Sequence, residues 1–249
     1  HIPTDQAQEL IGALDRELAS SEVAFYPGTS YRHLMVWRGA RERCRDLVLT
    51  PPHDITGLDI GPYLPRGGES GMLLRLMTDS QMILKRHPIN GRREEEGFRP
   101  ANSPWFWGQG WCPQLPSFMD KYGLRGSMIS AVDLLKGIGV YLGLEVIRVP
   151  GATGYLDTNY RGKVEAAIAC LQEKDLVFLH VEAPDEVSHE GNWEKKLQAL
   201  EDFDAQVVGP AVKAMEQFGS YRVLLVTDHL TPVEMKTHAI GAVPLAACG

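Results

Sequence analysis

From residue 126 onward, short apolar runs alternate with segments of helical period, and this alternation constrains the fold more than any other feature. "GSMISAV", "EVIRVPG", "DLVFLHVE", "YRVLLVT" and "AVPLAAC" read as strands. Helices are predicted near 131–143, 161–173 and 192–218. The last carries Leu197, Leu200, Phe203, Val207, Val208 and Met215, with a kink expected at Gly209-Pro210. Continuously apolar strands alternating with helices indicate a parallel sheet covered on both faces, an α/β architecture in which "YRVLLVT" and "AVPLAAC" complete the series.

The first hundred residues follow a different pattern. Leu10, Ile11, Leu14 and Leu18 predict a helix over 4–18 with Thr4 as N-cap, and "SYRHLMVWRG" reads as a strand, which together suggest α+β. "LTPPHDITGLDIGPYLPRGGESG" is mostly loop, a helix is predicted over about 71–86, and "HPINGRREEEGFRPANS" is polar and rich in turn residues. Its run "RREEEG" reads as solvated surface. A domain boundary is therefore placed near residue 100, giving units 1–100 and 101–249.

A chain of 249 residues, 44% hydrophobic, can bury a substantial core. A net charge of −7 argues against nucleic-acid binding, which needs clustered Lys and Arg. Cys44, Cys112, Cys170 and Cys248 are widely spaced, as expected of free thiols in the cytoplasm. No apolar run would span a bilayer, and "HIPTDQAQELIGAL" lacks a signal pattern, so no membrane partner is expected. A start at His1 and a stop straight after a strand-like segment suggest that both ends are cut.

In open α/β sheets chemistry gathers outside the carboxyl ends of strands. Asp185 and His189 follow "DLVFLHVE", Asp228 and His229 follow "YRVLLVT", and His238 precedes the next strand. Carboxylate oxygen and imidazole nitrogen suit Zn, Mn and related ions, and five such groups exceed the needs of one tetrahedral ion. Two ions are suggested, an arrangement suited to in-line displacement at phosphorus. An Asp at a strand end is also a common helix cap and an isolated His is often structural, so the convergence of three segments carries the reading. His180 reads as a satisfied core residue or a support for the site.

Other motifs fail. "GIGVYLG" misplaces the third glycine of a dinucleotide fingerprint, "DTNYRGKV" lacks the first glycine and final Ser/Thr of a P-loop, and no Gly-x-Ser-x-Gly elbow occurs. "PWFWGQGW" is either core packing or the wall of a cleft.

The ordered segments "FYPGTSYRHLMV", "PPHDITG", "ANSPWFWGQG", "SAVDLLKGIG", "VPGATGYLDTNYRGK", "HVEAPDEVSHEG" and "TDHLTPVEMKTH" resemble those of the archaeal-type, 2,3-bisphosphoglycerate-independent phosphoglycerate mutases, members of the alkaline phosphatase superfamily. The resemblance implies a three-layer, mostly parallel sheet core with an inserted α+β cap domain. It implies that Asp185, His189 and His238 bind one divalent ion and Asp228 and His229 another, the metal being Mn, Zn, Mg or Co, with no 2,3-bisphosphoglycerate needed. It further implies a serine nucleophile, transiently phosphorylated, which is expected upstream of His1, so the 249 residues alone are expected to be inactive.

The implied reaction interconverts 3-phosphoglycerate and 2-phosphoglycerate in glycolysis and gluconeogenesis, with the cap excluding water. Arg32 and His33 are the best cap candidates for gripping carboxylate or phosphate, Arg for its bidentate fork, followed by His53, Asp54, Asn102 and Gln109. A metal-dependent phosphatase or other phosphotransferase on the same scaffold, and a non-catalytic binding protein, stay open as alternatives, as does assembly into a homo-oligomer.

Overall fold

The computed structural model describes residues 2–55 and 57–249, without the side chain of His53. It divides into two compact units, His1–Cys112 and Pro113–Gly249.

In the first unit, helix α1 (Thr4–Leu18) buries Ala7, Leu10, Ala13 and Leu14 along one stripe. Thr4 is not the cap. It lies inside the helix behind Pro3, and its Oγ1 accepts a bond from the Ser30 amide at 3.1 Å. The expected strand is the second arm of an antiparallel hairpin, β1 (Val23–Tyr26) with β2 (Leu34–Trp37), in register Val23↔Trp37. Val23 and Phe25 pack with Leu47, Leu73 and Leu76, the last two from α2 (Ser70–Lys85).

The polar stretch expected to be a hinge instead contains α3 (Pro88–Glu95), started by Pro88 in the first turn and by the His87 ring, which accepts from the Ile89 amide. "RREEEG" is not wholly solvated either. Arg93 is buried, its Nε donating to the Arg99 carbonyl at 3.0 Å and its Nη1 to Gln6 Oε1 at 2.8 Å. The buried Asn90 amide donates to the carbonyls of Leu84 and Ala101 and accepts from the Ala101 amide. The aromatic stretch continues this attachment, with Trp105 Nε1 donating to Thr50 O at 2.7 Å and Phe106 packed on the hairpin core. These bonds carry the first unit on to Cys112, beyond the expected boundary near residue 100.

The second unit holds α4 (Phe118–Tyr122), β3 (Gly126–Ile129), α5 (Asp133–Tyr141), β4 (Glu145–Ile147), α6 (Tyr160–Leu171) and β5 (Leu176–Leu179). The strands form a parallel sheet in the order β4-β3-β5, with β3 buried throughout. Then come α7 (Ala183–His189), α8 (Trp193–Phe203), a π turn over Asp204–Val208, and α9 (Gly209–Met215). The expected kink is that π turn: the Gly209 amide bonds back five residues to the Asp204 carbonyl. Pro210 has no amide proton and its ring crowds the preceding turn, so the ladder slips just before it.

The last two strands, β6 (Val223–Val226) and β7 (Leu245–Cys248), do not extend the parallel series. They pair antiparallel in a sheet of their own, Val223↔Cys248. A parallel pair needs a crossover, usually a helix. Residues 227–244 contain no helix and reverse through an antiparallel bridge between Leu230 and Ala239.

Candidate metal centre

"APDEVSH", for which no helix is predicted, forms α7, and this short helix organises the site. Ala183 and Val187, four residues apart, are completely buried against Tyr160, Val164, Ala199 and Val207. Asp185 and His189, also four apart, project together from another face of the helix. Asp185 Oδ2 lies 3.3 Å from His189 Nε2.

The reversal after β6 supplies the other groups. The Leu230↔Ala239 bridge brings His238 back beside His229, with ring centroids 3.9 Å apart. His238 Nε2 then lies 3.1 Å from His189 Nε2 and 3.5 Å from Asp185 Oδ1. A ligand atom of His229 falls within 4.8 Å of those of Asp185 and His238. Asp228 is the most exposed of the five, its side chain 71% accessible, and it meets His229 Nε2 through Oδ2 at 3.4 Å.

Hydrogen bonds settle which His189 nitrogen faces this cluster. Its Nδ1 is 2.9 Å from the Lys236 carbonyl. A carbonyl only accepts, so Nδ1 carries the proton and the Nε2 lone pair is left toward Asp185 and His238. Atoms that share one ion with bonds of about 2.0–2.1 Å must stand roughly 3.3–3.4 Å apart at tetrahedral corners, or about 3 Å at octahedral ones. The 3.1 Å between the two Nε2 atoms is in that range, as are the 3.3 Å from His189 to Asp185 Oδ2 and the 3.5 Å from His238 to Asp185 Oδ1, one imidazole facing each carboxylate oxygen.

A family model described as the Metalloenzyme superfamily matches residues 11–249. The chain belongs to that superfamily.

Among its relatives, a protein of Geobacter sulfurreducens named a probable 2,3-bisphosphoglycerate-independent phosphoglycerate mutase is 54% identical over 98% of this chain and 60% of its own length. A Methanosarcina mazei protein named 2,3-bisphosphoglycerate-independent phosphoglycerate mutase is 53% identical over 99% of this chain and 62% of its own. The chain thus spans about three-fifths of the length of the curated relatives it matches. In fold it is similar to a protein of Pyrococcus horikoshii (TM-score 0.78, 23% identity, all of this chain and 60% of that one). It is similar also to the cofactor-independent phosphoglycerate mutase of Thermoplasma acidophilum (TM-score 0.53, 24% identity, 88% of this chain and 56% of that one).

Several groups near the cluster lie outside the five ligand candidates; of these the sequence reading singled out only His180. Lys163 on α6 is fully buried, and its Nζ donates to the His180 carbonyl at 3.2 Å. Burial depresses its pKa, opposed by Glu182. His180 directly follows β5 and shares a 3.2 Å bond between its Nδ1 and Ser130 Oγ, which also accepts from the Val132 amide. Burial holds its pKa below the usual value, while Asp228 and Asp185 pull the other way, so His180 is a neutral neighbour of the cluster. Thr231 donates from Oγ1 to Asp185 Oδ1 at 2.5 Å. Glu182 and Glu186 form a second acidic group with Asp185. The signals were present in "TDHLTP" and "HVEAPDE", but a hydroxyl two residues from a histidine means nothing until the backbone turns it inward.

Gly191 lies close against Lys236. Its φ is +72°, and an added Cβ would sit 2.2 Å from Lys236 Cε, on the residue whose carbonyl holds His189. Beyond it, Lys195 Nζ donates to Glu190 Oε2 and to Tyr155 OH, and that hydroxyl donates to Glu190 Oε1, steadying the carboxyl end of α7. Glu190 raises the Lys195 pKa, with Tyr155 second.

The cap candidates all lie in the first unit. Arg32 and His33 are neighbours in the β1–β2 connection. Arg32 lies over the Tyr31 ring at 5.3 Å, and His33 Nδ1 accepts from the Gly28 amide at 3.1 Å. Burial lowers the His33 pKa, a bond to the Ser30 backbone opposing. Asp54 sits in a short helical turn, Pro52–Ile55. Asn102 lines an open groove of about 860 Å³ with Thr78, Gln81 and Lys85. Gln109 is committed elsewhere, its Nε2 donating to the Leu47 carbonyl at 3.1 Å. The His53 side chain lies outside the described residues. Among the described residues no helix is long and apolar enough to cross a membrane.

Proposed function

We propose that this chain carries the ion-binding part and the lid of a 2,3-bisphosphoglycerate-independent phosphoglycerate mutase, which interconverts 3-phosphoglycerate and 2-phosphoglycerate through a phosphoserine. The observation that carries the reading is the approach of Asp185, His189 and His238 to 3.1–3.5 Å of one another, with His229 at their side. The names of relatives about half identical along nearly the whole chain support the substrate.

In this reading Asp185, His189 and His238 hold one divalent ion and Asp228 with His229 a second. Such ions supply charge neutralisation at phosphoryl oxygens and a more reactive nucleophile. The chain's own part is to hold these ligands close together and, at His189, to turn the unprotonated nitrogen inward. The Lys236 carbonyl does this for His189 by occupying its other nitrogen. Lys163, fully buried, donates from Nζ to the carbonyl of His180, the residue that follows β5.

In this reading the first unit is the cap domain. There Arg32 offers a fork to carboxylate or phosphate. His33 is held in place beside it, its Nδ1 accepting from the Gly28 amide and its ring bonded to the Ser30 backbone. His53, Asp54 and Asn102 are further contacts in this reading. The setting is cytoplasmic, in keeping with four free cysteines.

The test is the complete gene product, freed of metal and then given Mn²⁺, assayed on 3-phosphoglycerate. The reading expects 2-phosphoglycerate, lost in Asp185→Asn and His238→Ala. Release of free phosphate instead would identify a phosphatase, and metal-independent turnover would contradict the assignment.

A further inference from the structure

We infer that Thr231 is a positioning residue that joins the two ligand pairs through one hydroxyl. This rests on the reading of Asp185 and His229 as ligands.

Thr231 Oγ1 stands 2.5 Å from Asp185 Oδ1 and 3.2 Å from His229 Nδ1. In that reading Asp185 goes with His189 and His238 and His229 with Asp228, so the hydroxyl bonds to one member of each set. A carboxylate only accepts, so the hydroxyl proton goes to Asp185. The oxygen is then left to accept, and the partner at 3.2 Å must donate, which puts the His229 proton on Nδ1. Nε2 of His229 is thereby left with its lone pair, on the atom that faces Asp228 Oδ2 at 3.4 Å. One hydroxyl thus selects a carboxylate rotamer on one side and an imidazole tautomer on the other.

The hydroxyl can do this only if it is itself fixed, and its surroundings fix it. Thr231 is buried, 6% exposed, and its carbonyl accepts from Lys196 Nζ at 2.7 Å, which anchors the loop to α8. Pro232 follows, and its carbonyl accepts the amides of Met235 and Lys236, closing the turn that carries His238 back. The β-branched side chain is stiff at χ1, so a loop held at both sides holds the hydroxyl in one place.

A contrast inside the site makes the role testable. His189 is oriented by a main-chain carbonyl, which no substitution removes, but His229 is oriented by a side chain that one substitution removes. Thr231→Val keeps the branched shape and deletes both bonds. Thr231→Ser keeps the hydroxyl.

The experiment measures Mn²⁺ binding by calorimetry to the metal-free chain and both variants, alongside the ¹⁵N spectrum of the His229 ring without metal. Loss of an outer partner of a metal ligand typically costs about 10–100-fold in affinity. Thr231→Val should fall in that range, with Thr231→Ser returning to within a few-fold of the parent. The ring should carry its proton on Nδ1 in the parent and the Ser variant, and shift toward a mixture in the Val variant. A purely structural role would leave the tautomer untouched. Unchanged Mn²⁺ affinity in Thr231→Val, or an Nε2 proton on His229 in the parent chain, would overturn the inference. A parent chain that binds no Mn²⁺ would instead overturn the ligand assignment beneath it, and the ring spectrum tells the two failures apart.

Discussion

Ion-linked stability is the sharpest consequence of the site's geometry. Without an ion, His189 and His238 bring two ring nitrogens to 3.1 Å beside the Asp185 carboxylate. His189 Nδ1 is already committed to the Lys236 carbonyl, so its Nε2 lone pair is left to accept from His238 or to meet an entering ion. An ion that binds only the folded form stabilises it by RT ln(1 + [L]/Kd), about 2.7 kcal/mol at a hundred times Kd. For a unit of the size of Pro113–Gly249, each kcal/mol moves the midpoint by roughly 3–5 °C, so the expected rise is roughly 8–13 °C. The assay is calorimetric unfolding of chelator-treated protein with increasing Mn²⁺. If His189→Ala weakens binding a hundredfold, the same ion concentration leaves RT ln 2, about 0.4 kcal/mol, and roughly 1–2 °C. A parent midpoint that does not move at millimolar Mn²⁺, or an equal rise in His189→Ala and His238→Ala, would refute the reasoning.

Three other outcomes follow from the packing. Asn90→Ala removes three hydrogen bonds at a buried position and should destabilise the first unit by about 3 kcal/mol, read from the urea midpoint; a loss below about 1 kcal/mol would count against the attachment of residues 101–112 described above. Gly191→Ala places a side chain at φ +72°. The clash is with the flexible end of Lys236, so backbone strain should dominate, costing about 1–2 kcal/mol, and chemical denaturation showing no loss would contradict this. For His33, burial lowers the folded-state pKa, so below the ordinary value of 6.5 the unfolded chain takes up a proton that the folded chain resists. Stability should therefore fall as pH drops from 6.5 toward the depressed value, and the urea midpoint of His33→Asn should fall less over that interval than the parent's.

The amino-acid order alone made legible the parallel strands β3, β4 and β5 with their helices, and it named five ligand candidates, because alternation of apolar runs with helical periods and acidic or imidazole groups at strand ends are local features. It could not reveal that "APDEVSH" is helical, since seven residues are too few for periodicity to outweigh a loop reading, yet that turn is what sets Asp185 and His189 side by side. Nor could it distinguish Arg93 from its exposed neighbours, or reveal that Gln109 bonds to the Leu47 carbonyl. The direction of β7 depended on whether residues 227–244 cross over or reverse, and the Leu230↔Ala239 bridge decided for reversal. The same reversal carries His238 back to His229 and turns Thr231 toward Asp185. Residue type along the chain specifies which groups can bind an ion or donate a proton; only the path of the backbone sets the separations of about 3 Å at which lone pairs and protons constrain one another.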